Sequence, residues 1–300
     1  AERLAAGEIV ALPTETVYGL AANALDSVAV SRIFESKGRP ARNPIIVHVA
    51  NVAMARRYAE DWPEAAESLA REFWPGPLTL VVKRSPEISD LVTGGGDTVG
   101  LRWPRHPFFE AVIRRCGFPL AAPSANVSNQ LSPTSADHVL GQLGGSVSLI
   151  IDGGPCTVGI ESTVLDVTGP APVVLRPGMI DADGIARVIG GRVGASNPIV
   201  VGESDESAPA GAGGSLRSPG QLARHYSPKA KLILCQWTDE EDMARQLAGF
   251  NIDASRICVL ATRDLAAPAR WLRYARLPDD PAGFARALYA ELHQADKAGP

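Results

Sequence analysis

A mixed α/β sheet with flanking helices, joined by a linker to a smaller open α/β unit, is the fold that this 300-residue chain predicts. Three observations carry it. Short runs rich in β-branched residues, each closed by Gly, Pro or Asp, alternate with helical patterns from residue 8 to residue 190. The last of these runs follow one another with only turns between them, which strict βαβ alternation would not give. After Gly191 the composition breaks into Gly, Pro and Ser clusters, and α/β character then resumes.

The strand patterns, in order, are EIVALP, PIIVHVA, LTLVVKR, TVGLRWP, PLAAPS, SLIIDGG, STVLDVT and PVVLRPG. Between them, SVAVSRIFESKG reads as a helix capped at Ser27 and closed at Gly38. PEAAESLAREFWPG opens on Pro63 at a first helical position, and SPTSADHVLGQLGG is a helix capped at Thr134 or Ser135. Residues 1–190 therefore form one unit, and 191–229 a linker that is mobile around 203–214. Residues 230–300 form a second, Rossmann-like unit with AKLILCQW, SRICVLAT and ARWLRYARL as strands.

Bulk properties exclude several classes. A net charge of −4 is not that of a general nucleic-acid binder. No apolar run is long enough to span a bilayer, and the start carries no signal-peptide pattern. Four scattered cysteines give neither a disulfide framework nor a zinc site, which fits a reducing, cytoplasmic setting. Phosphate loops, HExxH and GxSxG motifs are absent.

What remains is a set of local concentrations. SKGRPARNP places Lys37, Arg39 and Arg42, followed by Asn43, against a strand that delivers His48. Cations at a helix end complement its dipole, which is the ordinary reading for either Lys37 or Arg39 alone. A lone strand His is more often a satisfied core residue, so His48 stays evenly balanced between the two readings. PTETVYG sets two threonines around one carboxylate, either as a capped turn or as a pocket rim with Thr16. Arg102, in mid-strand, needs either an internal carboxylate or a ligand carboxylate or phosphate. Ser124, Asn126 and Ser132 lie in a small, hydroxyl-rich loop, with Ser162 at a strand start and Arg176 at a strand end. TGGGD is more simply a turn than an anion site. No serine has a His and Asp to orient it. Cations and hydroxyls without a protein nucleophile suit the positioning of a nucleotide, with the chemistry running between bound substrates.

The ordered segments PTETVYGLAANA, SKGRPARNPIIVHV, FWPGPLTLVV, VGLRWPRHP, PLAAPSANVS, GIESTVLDV and VLRPGMI resemble the YrdC-like threonylcarbamoyl-AMP synthase family. SPGQLARHYSPKA and the second unit resemble its long, two-domain form, here with a shorter second domain. The resemblance implies a YrdC-like twisted sheet and a nucleotidyltransferase that makes threonylcarbamoyl-AMP from L-threonine, bicarbonate and ATP with Mg²⁺. It also implies that the product passes to the tRNA threonylcarbamoyl transferase machinery, with a weak RNA contact among its expectations. Carried over by motif, it assigns Thr16, His48, Arg102, the backbone at Ala122 and Ser162 to threonine. Lys37, Arg39, Asn43, Thr98, Ser124, Asn126, Ser132, Arg176 and Tyr226 go to ATP, Tyr226 as the linker residue that closes over the nucleotide. No residue is assigned to catalysis by itself, and none to a metal. An RNA-binding module without catalysis predicts affinity that falls steeply with salt, and the acidic charge argues against it. A carbamoyl-transfer enzyme of hydrogenase maturation would need cysteine pairs that the chain lacks. A paralogue acting on another amino acid or nucleotide is the remaining alternative.

Overall fold

The computed structural model describes residues 1–195, 217–219, 226–250, 252–265 and 270–299. The expected mobile stretch 203–214 and His225 lie outside these. Nine strands form the main sheet: β1 (Val10–Leu12), β2 (Gly19–Asn23), β3 (Val47–His48), β4 (Leu78–Lys83), β5 (Thr98–Arg102), β6 (Leu120–Ala121), β7 (Thr163–Asp166), β8 (Val173–Arg176) and β9 (Gly194–Ala195). Their order is β1-β2-β6-β3-β5-β4-β7-β8-β9. The β3–β5, β4–β7 and β8–β9 pairs are parallel and the other five antiparallel. The sheet is mixed, as the sequence predicts.

Period-2 alternation gives its central strands two different faces. Val47, Leu80, Val82, Val99, Leu101 and Leu165 enter the main core, with Val30, Ile33 and Phe34 of the helix Ser27–Lys37 and Leu69 of the helix Glu64–Phe73. The opposite face carries Ile46, Val81 and Val164 as a small apolar floor. Polar residues surround that floor. Thr98, Gly100 and Arg102 alternate with Val99 and Leu101, so TVGLR encodes a core face and a site face in five residues.

Several elements differ from those the sequence predicts. SLIIDGG contributes only an isolated bridge, Ala11 to Ile150, whereas YGLAANA supplies a full strand, β2. Small residues hid that strand: Gly19, Ala21 and Ala22 have low strand preference, yet fit where helix Pro107–Cys116 packs closely on the sheet. That helix, with Pro107 at its first turn, also escaped the sequence reading. Asp26, not Ser27, caps the first long helix by accepting from Val28 and Ala29 N–H. Pro63 is the N-cap of its helix rather than its first residue. Ser135 caps the helix Ala136–Leu143, accepting from His138 N–H. β9 lies at the start of the expected linker and adds to the sheet through β8.

In the second unit, β10 (Cys258–Ala261) and β11 (Arg273–Arg276) pair in parallel, the sense a Rossmann-like sheet requires. AKLILCQW forms no ladder among the described residues, and Leu234 is 97% exposed. The expected third strand is therefore absent from this sheet as described. Helix Pro281–Ala298, capped by Asp280, runs from β11 back onto the first unit.

Candidate functional site

Strand register builds the site's central row. His48 of β3 lies opposite Arg102 of β5, and Val164 of β7 lies opposite both Thr79 of β4 and Arg176 of β8. Leu80 faces Leu101 across the β4–β5 pair, so Thr79 and Arg102, one step on, share the other face. One sheet face thus brings together residues that are 128 positions apart in sequence, from His48 to Arg176.

The cavity on this face has an empty volume of about 490 Å³ including its open mouth. Its lining includes Thr14, Thr16, Arg39, His48, Arg102, Ala122, Ser124, Glu161, Ser162, Arg176 and Tyr226. Nine of the fourteen sequence-assigned residues are among them: Thr16, Arg39, His48, Arg102, Ala122, Ser124, Ser162, Arg176 and Tyr226. Thr98 lines a smaller adjoining cavity, which shares Ile46 and Pro219 with the first.

Lys37, Asn43, Asn126 and Ser132 stand behind the wall. Lys37 Nζ donates to the carbonyl oxygens of Ser124 and Asn126, both at 2.5 Å, and burial followed by Arg39 lowers its pKa well below normal. Its amine donors therefore hold the Ser124–Asn126 loop instead of facing the cavity directly. Asn126 Nδ2 donates to Val127 O and Gln130 O, and its Oδ1 accepts from Ser124 Oγ at 2.5 Å. Ser132 Oγ donates to Glu161 Oε1. Asn43 is fully buried, with neither side-chain polar atom hydrogen-bonded.

Three buried guanidinium groups set the electrostatics. Arg102 Nη2 lies 2.8 Å from Glu15 Oε1 without hydrogen-bond alignment, and Arg102 Nε donates to Gly76 O at 3.2 Å. Glu15 thus supplies the internal carboxylate left open by the sequence reading, while the Arg102 side chain still reaches the cavity. Arg39 donates to the carbonyls of Asn43 and Pro44, and Arg176 to the carbonyl and hydroxyl of Ser162 and to Tyr226 Oη at 2.9 Å. Neither has an ion-pair partner among the described residues. Burial drags Arg39 down to about 10. Buried cations in this state favour an anionic ligand, which supplies the missing countercharge. Burial, with Arg102 beside it, pushes His48 down to about 3, so its imidazole is neutral at physiological pH.

Three participants carry no assignment from the sequence. Glu15 and Glu161 sit inside motifs whose threonines and serines carry the assignments. Their signal was a carboxylate within a mostly apolar or hydroxyl-rich run. Tyr289 comes from helix Pro281–Ala298, where an aromatic at helical spacing looks like core; its hydroxyl donates to Glu161 Oε2 at 2.8 Å. Among the described residues there is no cluster of His, Cys, Asp and Glu fit to hold a metal ion.

A family model described as "Telomere recombination" (Sua5_yciO_yrdC) matches residues 2–178, and the threonylcarbamoyl-AMP synthase C-terminal domain model matches residues 180–299. The threonylcarbamoyl-AMP synthase of Pyrococcus abyssi is 42% identical over 297 residues, covering 98% of this chain and 83% of that protein. The synthase of Bacillus subtilis is 43% identical over 262 residues, covering 86% and 72%. A crystal structure of P. abyssi Sua5 complexed with L-threonine superposes with a TM-score of 0.88 at 39% identity, covering 99% of this chain and 84% of that one. With both family models matched along its length and the mixed sheet that the resemblance implies, this chain belongs to the Sua5/YciO/YrdC family, in the form that carries a second, C-terminal domain.

Proposed function

We propose that this chain is a threonylcarbamoyl-AMP synthase, a nucleotidyltransferase that uses L-threonine, bicarbonate and ATP. The observation that carries this reading is the cavity itself. Arg39 and Arg176 are both 8% exposed and lack a carboxylate partner among the described residues, and they share the cavity with Arg102. Two relatives bear this enzyme's name, and the related crystal structure holds L-threonine.

The chemistry needs no protein nucleophile. Threonine's amine, once deprotonated, attacks the carbon of bicarbonate, and water leaves to give the carbamate. A carbamate oxygen then forms a bond to the α-phosphorus of ATP as the α–β phosphoanhydride breaks, and pyrophosphate departs with the electron pair. The enzyme contributes alignment, charge neutralisation and exclusion of water. Arg102 pairs with the threonine carboxylate, and Thr16, His48, the Ala122 backbone and Ser162 shape the pocket around it. Arg39, Arg176 and Ser124 neutralise and orient phosphates, Thr98 contacts the nucleotide from the adjoining cavity, and Tyr226 closes over it through Arg176. Lys37, Asn43, Asn126 and Ser132 fix the walls from which these contacts are made.

Mg²⁺ belongs to this reading as the partner of ATP. Among the described residues lining the cavity, Glu161 is the single carboxylate, and protein donors engage both its oxygens. Such a donor set fits a cation carried in on the triphosphate rather than one caged by the protein, and the cation would there offset developing phosphate charge. The adenylate is labile, so it serves a downstream threonylcarbamoyl transfer to tRNA; a weak RNA contact near the cavity mouth would suit that hand-over. None of the described helices is long and apolar enough to cross a membrane.

The test is pyrophosphate release from MgATP with threonine and bicarbonate omitted in turn. Release that requires both is expected. Release with threonine alone, in bicarbonate-free buffer, would mark ordinary amino-acid activation and overturn the proposal.

A further inference from the structure

Helix Pro281–Ala298 lies outside the catalytic sheet, yet it reaches the cavity wall. Tyr289 Oη donates to Glu161 Oε2 at 2.8 Å, and His293 Nε2 donates to the Ser132 carbonyl at 3.0 Å. Val17, Leu131, Tyr289 and Leu292 form one buried apolar seam, with Tyr226 packed against it. The approach is close: a Cβ at Gly159 (φ +82°) would fall 2.5 Å from Arg286 Cα. The helix therefore meets this wall backbone to backbone.

Glu161 is 8% exposed and lines the same cavity as Arg39 and Arg176, without forming an ion pair with either among the described residues. A buried carboxylate that shares a cavity with guanidinium groups lacking a carboxylate partner is drawn to them, because attraction in a low-dielectric setting is strong. Two donors oppose that movement. Ser132 Oγ engages Oε1 and Tyr289 Oη engages Oε2, which fixes both oxygens of the carboxylate.

We propose that Tyr289 is a positioning residue for the nucleotide side of the site, holding the Glu161 carboxylate away from Arg39 and Arg176 so that both remain available to an anionic ligand. The second domain thereby contributes to the electrostatics of a cavity built almost wholly by the first. This rests on the reading of the cavity as an ATP site and adds a role for a residue of the second domain. A merely structural Tyr–Glu bond would stabilise the docking of the helix without changing the competition for the guanidiniums.

The experiment is calorimetric binding of MgATP, without threonine, to the full chain and its variants, with wild-type pyrophosphate release measured in parallel. Tyr289→Phe keeps the ring and removes the hydroxyl. Its ATP affinity should fall about tenfold, a loss on the order of 1.4 kcal/mol, while its threonine affinity changes less than twofold. Adding Glu161→Gln should restore ATP affinity to within about threefold of wild type, because the freed group no longer carries charge. Unchanged ATP affinity in Tyr289→Phe overturns the proposal, as does an equal loss for both ligands that Glu161→Gln does not relieve. Should Tyr289→Phe lose its fold, Glu161→Gln alone carries the test. It should bind ATP at least as well as wild type, and a tenfold loss would overturn the proposal. Wild-type protein that binds ATP but releases no pyrophosphate defeats the synthase reading, and the variant affinities then decide the role of Tyr289 by themselves. Wild-type protein that binds no ATP overturns both.

Discussion

Arg102 shows how far one residue's role depends on its neighbours. Its place in TVGLR, one step beyond Leu101, puts it on the site face, and its register partner His48 stands beside it. Glu15 then approaches Nη2, so the guanidinium is oriented before any ligand arrives. Replacing Arg102 by Gln removes a charge-assisted contact worth about 1.5–3 kcal/mol. The KM for threonine should rise tenfold or more while that for ATP stays within twofold. Steady-state pyrophosphate release against each substrate checks this, and equal rises in both would reject Arg102 as the threonine partner. The same substitution strands the buried Glu15, so the Glu15→Gln, Arg102→Gln pair should be more stable than Arg102→Gln alone.

At the scale of elements, the helix Ser27–Lys37 has a defined start and an equally defined task. Asp26 caps it, Gly38 closes it in a left-handed conformation (φ 58°), and its apolar stripe Ala29, Val30, Ile33 and Phe34 enters the core. Lys37 in the last turn then reaches across to the Ser124–Asn126 loop. Asp26→Ala should cost about 1 kcal/mol, whereas Ser27→Ala should be near neutral, since the cap bonds end on Asp26. Urea-denaturation midpoints of the two variants decide between these caps, and equal losses would return the capping role to Ser27. The helix Ala136–Leu143 is read more directly from sequence, because its cap Ser135 follows the hydroxyl-rich loop that it ends.

Over the whole molecule, buried neutral histidines tie stability to pH. His138 and His293 stack with ring centroids 3.8 Å apart where the two units meet, beside Asp296 and Lys297. Burial, with His293 adjacent, lowers His138 to about 4; burial also lowers His293, and His48 lies at about 3. Each folded pKa is below the unfolded value near 6.5, so between the two the unfolded chain binds more protons. Stability from these groups is complete above about pH 6.5 and is lost as pH falls toward 4 for His138 and 3 for His48. The loss approaches about 1 kcal/mol per pH unit for the enclosed His48 and is smaller for the partly screened His138. The urea midpoint should therefore drop between pH 7.5 and pH 5, and His138→Gln should flatten that drop. An unaltered slope in His138→Gln would show that the stacked pair does not govern it.

TVGLR, PIIVHV and IEST made the site face readable because alternation along a strand is a local property, and PTET and SKGRPARNP placed polar groups at the mouths of those strands. β2 was hidden because its residues are chosen for close packing rather than strand preference. Cations, hydroxyls and the absence of a protein nucleophile are legible in the residues themselves, and the family in the ordered motifs. Pairing is not. Glu15 meets Arg102 across 87 positions, Arg176 meets Tyr226 across 50, and Tyr289 meets Glu161 across 128. Contacts between segments so far apart leave no periodic trace in a single sequence, because chain closure and packing, not local preference, bring them together. The tertiary structure alone decided which buried charges are already matched, and therefore which ones a ligand must answer.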